Sequence, residues 1–268
     1  MQQELRRDDT FVLADYFDYI AGTSTGAIIA TCLALGWRAE KVRQFYHTKG
    51  TEMFDKASLF RRLRYKFTDE RLAALLQQEM GAETTLGSDT LKTVLLLILR
   101  NATTDSPWPL SNNPRAKFND PNLPDCNLRL PLWQLVRAST AAPTYFPPEV
   151  VPVGQRDFVF VDGGVTMYNN PAFHLFLMAP AAPFHLGWPT GTDQLLLVSL
   201  GTGTSPQANA ELRPDEMNLL FNAGSIPSAL MFAALTEQDF LCRVFGDCLV
   251  GDPPRPRGGG YDRPERAG

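Results

Sequence analysis

Apolar residues recur along the chain in two rhythms. Tyr19, Ile20 and Ala21 stand ahead of Gly22 and predict a short buried strand. Gly22-Thr23-Ser24-Thr25-Gly26 follows, and residues 27–35 are small and apolar up to Gly36, the pattern of a buried helix with a glycine stop. Residues 39–47 and 69–80 carry helical amphipathic spacing; Thr68 is placed to cap the second, and Leu72, Leu75 and Leu76 form its apolar stripe. Residues 91–99 and 195–200 are continuous Val/Leu/Ile-rich runs that predict strands buried on both faces, and residues 158–161 predict a further strand. Helices are expected over 131–138, after Asn170-Pro171, and over 218–239 in two pieces broken near Pro227. Residues 101–130 are rich in Pro, Asn and Asp and read as mostly loop, and residues 142–148 as a rigid turn.

Strands alternating with helices predict an α/β fold with a mostly parallel central sheet flanked by helices. In such sheets functional groups gather at the carboxyl ends of strands. The glycine turns at Gly22 to Gly26, Gly163-Gly164 and Gly201 to Gly203 are therefore expected to lie near one another. Residues 1–250 read as one domain, and residues 251–268, dominated by Pro, Gly, Arg and Asp, as a disordered tail.

Composition narrows the function classes. The 268 residues are 44% hydrophobic and 20% charged, an ordinary globular balance. Net charge is −4, so no global basic field favours nucleic acid, which is not expected as a partner. Arg61, Arg62, Arg64 and Lys66 are interleaved with Leu63, Tyr65 and Phe67, which reads either as a solvated face or as a patch for anionic lipid headgroups. The cysteines, Cys32, Cys126, Cys242 and Cys248, have neither the spacing nor neighbouring histidines for a zinc site, and suit a reducing compartment. Residues 1–9 are polar with no apolar run behind them, so no secretory signal is expected. The longest apolar runs are too short to span a bilayer, which points to a cytoplasmic or peripheral-membrane location.

The pentapeptide around Ser24 is a G-x-S-x-G nucleophile elbow, in which a serine sits on a sharp strand-to-helix turn. Gly22 and Gly26 are expected because a Cβ at either position would clash with strand or helix. A nucleophilic serine needs a base. The chain has three histidines, His47, His174 and His185, and none follows a strand end. Asp162 does: it closes the run 158–161 and precedes Gly163 and Gly164, so a direct Ser24–Asp162 pair is the leading candidate, with a Ser–His–Asp arrangement through His174 or His185 as the weaker one.

The stretch Asp15-Tyr16-Phe17-Asp18-Tyr19-Ile20-Ala21-Gly22-Thr23-Ser24-Thr25-Gly26 closely resembles the nucleophile motif of the patatin-like phospholipases. Val161-Asp162-Gly163-Gly164-Val165 with Asn169-Asn170-Pro171-Ala172 resembles the catalytic-aspartate motif of that family, and the stretches from Arg137 to Phe146 and from Val198 to Gly203 match two further blocks in order. The resemblance implies a three-layer α/β architecture, a Ser24–Asp162 dyad, acyl-ester hydrolysis of glycerolipids or phospholipids met at a membrane surface, and no metal or other cofactor. It also implies a first strand and a glycine-rich oxyanion loop ahead of the elbow; nothing before Ser24 resembles them, and both are expected to be absent from these residues. The backbone N–H of Thr25 is then the candidate oxyanion donor. A partial domain that binds lipid or a partner without turnover is the alternative.

Overall fold

The computed structural model describes residues 11–53, 65–143, 145–201 and 219–251. Its central element is the second strand. β1 (Tyr19–Thr23), β2 (Val94–Asn101), β3 (Ser106–Ser111), β4 (Glu149–Val153) and β5 (Arg156–Asp162) form one sheet. β1 runs parallel to β2, with Tyr19 opposite Val94 and Thr23 opposite Ile98. The other pairings, β2 with β3, β2 with β5 and β4 with β5, are antiparallel. The α/β class with flanking helices therefore holds, but among the described residues the sheet is mixed rather than mostly parallel.

The apolar run of β2 is continuous because both faces are covered. Leu95, Leu97 and Leu99 point into one core, and Leu96 and Ile98 into another. All five side chains are fully buried, each worth about 1.5–3 kcal/mol of transfer free energy. The first core is closed by α1 (Thr25–Ala34), α2 (Ala39–Met53), α3 (Tyr65–Met80) and α4 (Leu132–Ser139). The second is closed by α5 (Ala172–Met178) together with Phe184, Leu186 and Trp188. Helix, sheet and helix thus make three layers. α6 (Leu219–Phe245) packs against α5 and against the turn after β5.

Gly36, at φ +81°, ends α1 as the expected glycine stop. Arg137 is wholly buried; it donates to the Pro147 carbonyl at 3.3 Å and its guanidinium lies 5.4 Å from the Phe146 ring, pinning the proline turn to α4. Burial lowers its pKa.

Several expectations need correction. Residues 195–200 form no strand: the run pairs with no described strand, and Leu200 is 91% exposed. Residues 101–130 are mostly loop, as expected, with β3 pairing along β2 as the exception. α3 begins at Tyr65, so Thr68 lies inside the helix rather than capping it. α6 is one helix that contains Pro227, not two. Residues 61–64 of the basic stretch and residues 252–268 of the expected tail lie outside the described residues, as do residues 1–10.

Candidate active site

The sheet order decides what meets what. β3 pairs with Leu96–Asn101 and β1 with Val94–Ile98, so they occupy opposite edges of β2. β5 pairs with Leu99, Arg100 and Asn101, positions already paired with β3, and must share β1's edge. β1 stops at Ile98, and β5, running the other way, stops at Leu99. The carboxyl ends of β1 and β5 therefore face each other across one step of β2. Ser24 follows the first end and Asp162 closes the second.

Ser24 sits at φ 56°, ψ −126°, a strained backbone for a residue with a Cβ. It occupies the cap position of α1 but makes no side-chain cap bond. Instead its Oγ donates to Asp162 Oδ2 at 2.6 Å. The elbow is tight because a Cβ on Gly22 would stand 2.1 Å from the Gly26 carbonyl oxygen. Gly26 behaves differently, with nothing within 4 Å of a Cβ placed there, so the expected clash holds at Gly22 and fails at Gly26.

Asp162 is 5% exposed. Its Oδ1 accepts from the Gly164 N–H at 2.7 Å, which fixes the carboxylate plane. Burial raises its pKa above the usual 3.8, while the hydrogen bonds from Ser24 and Gly164 pull the other way. Gly163 passes directly under the end of β2: a Cβ there would lie 2.1 Å from the Ile98 carbonyl oxygen. The following turn is tied down by Thr166 Oγ1, which donates to the Gly163 carbonyl at 2.7 Å. Asn169 Nδ2 donates to the Met231 carbonyl of α6 at 3.1 Å.

Sequence reasoning gave no role to Ser139. This side chain, fully buried at the end of α4, accepts from the Ser24 N–H at 3.0 Å and donates to the Ile98 carbonyl at 2.7 Å. Its only sequence signal is membership of the stretch from Arg137 to Phe146. Thr25 is the first residue of α1, so its N–H has no acceptor within the helix. The histidines are elsewhere. His174 is 7% exposed, stacks on Tyr168 with centroids 4.3 Å apart, and has no hydrogen-bond partner on Nε2; burial pushes its pKa down to about 4. His47 and His185 are exposed. Gly201 is exposed, and residues 202 and 203 of the third glycine turn lie outside the described residues.

The family model of the Patatin-like phospholipases matches residues 5–176. The chain belongs to this family. It is similar to the cGAMP-activated phospholipase of Vibrio cholerae, 31% identical over 61% of this chain and 46% of that one. It is also similar to the probable inactive patatin-like protein 9 of Arabidopsis thaliana, 31% identical over 80% of this chain and 57% of that one. Patatin-17 of Solanum cardiophyllum is 27% identical over 76% of this chain and 54% of its own length. The chain thus spans about half the length of these curated relatives. Patatin-like proteins named as phospholipases and as probably inactive both occur among them. Among the described residues no helix is long and apolar enough to cross a membrane.

Proposed function

We propose that the chain is a serine acyl hydrolase that cleaves acyl esters of glycerolipids or phospholipids presented at a membrane surface. The observation that carries this reading is the 2.6 Å hydrogen bond from Ser24 Oγ to a buried carboxylate. Ser24 Oγ attacks the ester carbonyl while its proton passes to Asp162 Oδ2. The protonated Asp162 then gives that proton to the departing alkoxide, leaving an acyl-serine. Water attacks the acyl-serine as Asp162 takes its proton, and Asp162 then returns that proton to Ser24 Oγ as the carboxylic acid leaves. A carboxylate whose pKa is raised by burial is a better base than an exposed one. The developing oxyanion is met by the Thr25 N–H at the start of α1, where the helix dipole adds to the field. The hydrolase unit extends to about residue 250, since α6 packs on the turn that holds Asp162.

A second reading is a patatin-like domain that binds lipid with little turnover. It is favoured by the relative named probable inactive. Fluorophosphonate labelling, followed by hydrolysis of phospholipid in mixed micelles, separates the two. The dyad reading expects labelling of the folded chain and none of Ser24→Ala or Asp162→Ala. Folded chain that resists the probe while still binding vesicles supports the second reading and sinks the first. Labelling that survives Asp162→Ala but not His174→Phe would replace the dyad with a histidine base.

A further inference from the structure

The dyad explains Ser24 Oγ but not the Ser24 amide, which is turned inward to a buried hydroxyl. We propose that Ser139 is a positioning residue, which locks the nucleophile elbow to the end of β2 and so sets the distance from Ser24 to Asp162. This rests on the hydrolase reading above.

One hydroxyl does two things at once: Ser139 Oγ accepts from Ser24 N–H and donates to the Ile98 carbonyl. That carbonyl lies where β1 gives way to β5 along β2, and Gly163 is packed closely against it. The Asp162 side of the dyad is therefore referenced to Ile98 and Leu99 through the strand ladder and Gly163. The Ser24 side is referenced to the same carbonyl through Ser139. The positive φ at Ser24 is a conformation that relaxes unless its surroundings hold it. Ser139 supplies that hold from a fully buried side chain, and its bond to Ile98 is wholly buried. A second consequence follows. The Ser24 N–H is committed to Ser139 and is not an oxyanion donor.

The test uses the full chain and compares wild type, Ser24→Ala, Ser139→Ala and Thr140→Ala. Labelling rates are measured against pH, with kcat and KM for a short-chain ester and a melting temperature for each. Thr140 is the control: its hydroxyl, equally buried, bonds only back to the Val136 and Arg137 carbonyls of its own helix. Ser139→Ala is expected to lower kcat about 10- to 100-fold with KM unchanged, as misplacement of a reacting group does. Its acid limb is expected at higher pH, because Asp162 loses the Ser24 hydrogen bond that holds its pKa down. Thr140→Ala should lose melting temperature with its acid limb unmoved. Ser139→Thr, which keeps the hydroxyl, should recover the wild-type limb. Ser139→Ala that reacts like wild type, or loses rate without moving the limb, overturns the proposal. Where the alanine variant does not fold, Ser139→Cys replaces it. A thiol accepts weakly, so an unmoved limb there overturns the proposal as well. Wild type labelled and Ser24→Ala unlabelled keeps the hydrolase reading whatever Ser139 shows. Unlabelled wild type removes both.

Discussion

Gly22 and Gly26 look equivalent in the pentapeptide, yet alanine at the two positions should act in opposite directions. At position 22 the added methyl would sit 2.1 Å from the Gly26 carbonyl oxygen and 2.4 Å from its carbon. Both atoms are backbone, in the first turn of α1, so no rotamer change relieves the overlap. The turn must move by more than 1 Å to restore contact near 3.4 Å, and that movement acts on the 2.6 Å bond between Ser24 and Asp162. The cost is at least about 3 kcal/mol, at the upper end of overpacking because the rigid partner cannot yield. At position 26 nothing lies within 4 Å of the added methyl. Alanine there only restricts the unfolded chain and improves helix propensity, a gain of up to about 1 kcal/mol. In a chain of this size that is a rise of about 2–4 °C in melting temperature. Thermal melts followed by circular dichroism, with fluorophosphonate labelling alongside, read both effects. Gly22→Ala should melt far lower and fail to label; Gly26→Ala should melt at or above wild type and still label. A Gly22→Ala variant that melts and labels like wild type would refute the close approach of strand and helix on which the elbow rests.

Three further outcomes follow from the geometry. Ser24→Gly and Ser24→Ala both lose the hydroxyl, but only glycine is at ease at φ 56°, so the glycine variant should melt about 2–4 °C higher, about 1 kcal/mol; equal melting would show that the backbone is unstrained. Asp162 has a raised folded pKa, so its contribution to stability is full below the unfolded value near 3.8 and is lost as pH rises; Asp162→Asn should out-melt wild type most at neutral pH, with the gap closing toward that value, whereas wild-type activity should fall on the acid side at a pH above 3.8. His174 is the opposite case: its folded pKa of about 4 lies below the ordinary 6.5, so up to about 3 kcal/mol of stability, present above pH 6.5, should drain away between pH 6.5 and 4, and His174→Phe should melt with a flatter acid profile and unchanged labelling.

What was legible in the sequence was what local chemistry controls. The strand–turn–helix order around Ser24, the strand ending at Asp162, and the buried run of β2 all carry signals in a few adjacent residues. β3 was hidden by Pro107 and Pro109, which argue against a strand. Asn112 N–H donates to the Leu95 carbonyl. That register makes Arg100 with Pro107, and Ile98 with Pro109, the non-hydrogen-bonded pairs of the ladder. The prolines therefore sit where β3's amides face away from β2, and no ladder bond is lost. Residues 195–200 mislead for the converse reason: an apolar run specifies a strand only where a neighbouring edge receives it, and no described strand pairs there. Pro227 removes one hydrogen bond from α6, a local loss that a 27-residue helix docked on α5 tolerates. Ser139 was out of reach because its partners, Ser24 and Ile98, are 115 and 41 residues away in sequence.

The mixed sheet is also what makes a two-residue site geometrically possible. A strand that continues along β2 beyond the end of β1 meets the Ser24 turn with whichever of its own ends points inward. A parallel strand in that place would present its amino end, and the residue that closes it would lie at the far side of the sheet. β5 runs antiparallel, so its last residue, opposite Leu99, is one step from the Thr23 position opposite Ile98. Asp162 then reaches Ser24 directly, with its second oxygen held by the turn it caps. In a triad a histidine bridges a serine and a carboxylate that lie too far apart to touch. Here the strand ends have closed that distance, and an imidazole between Ser24 and Asp162 would have no room.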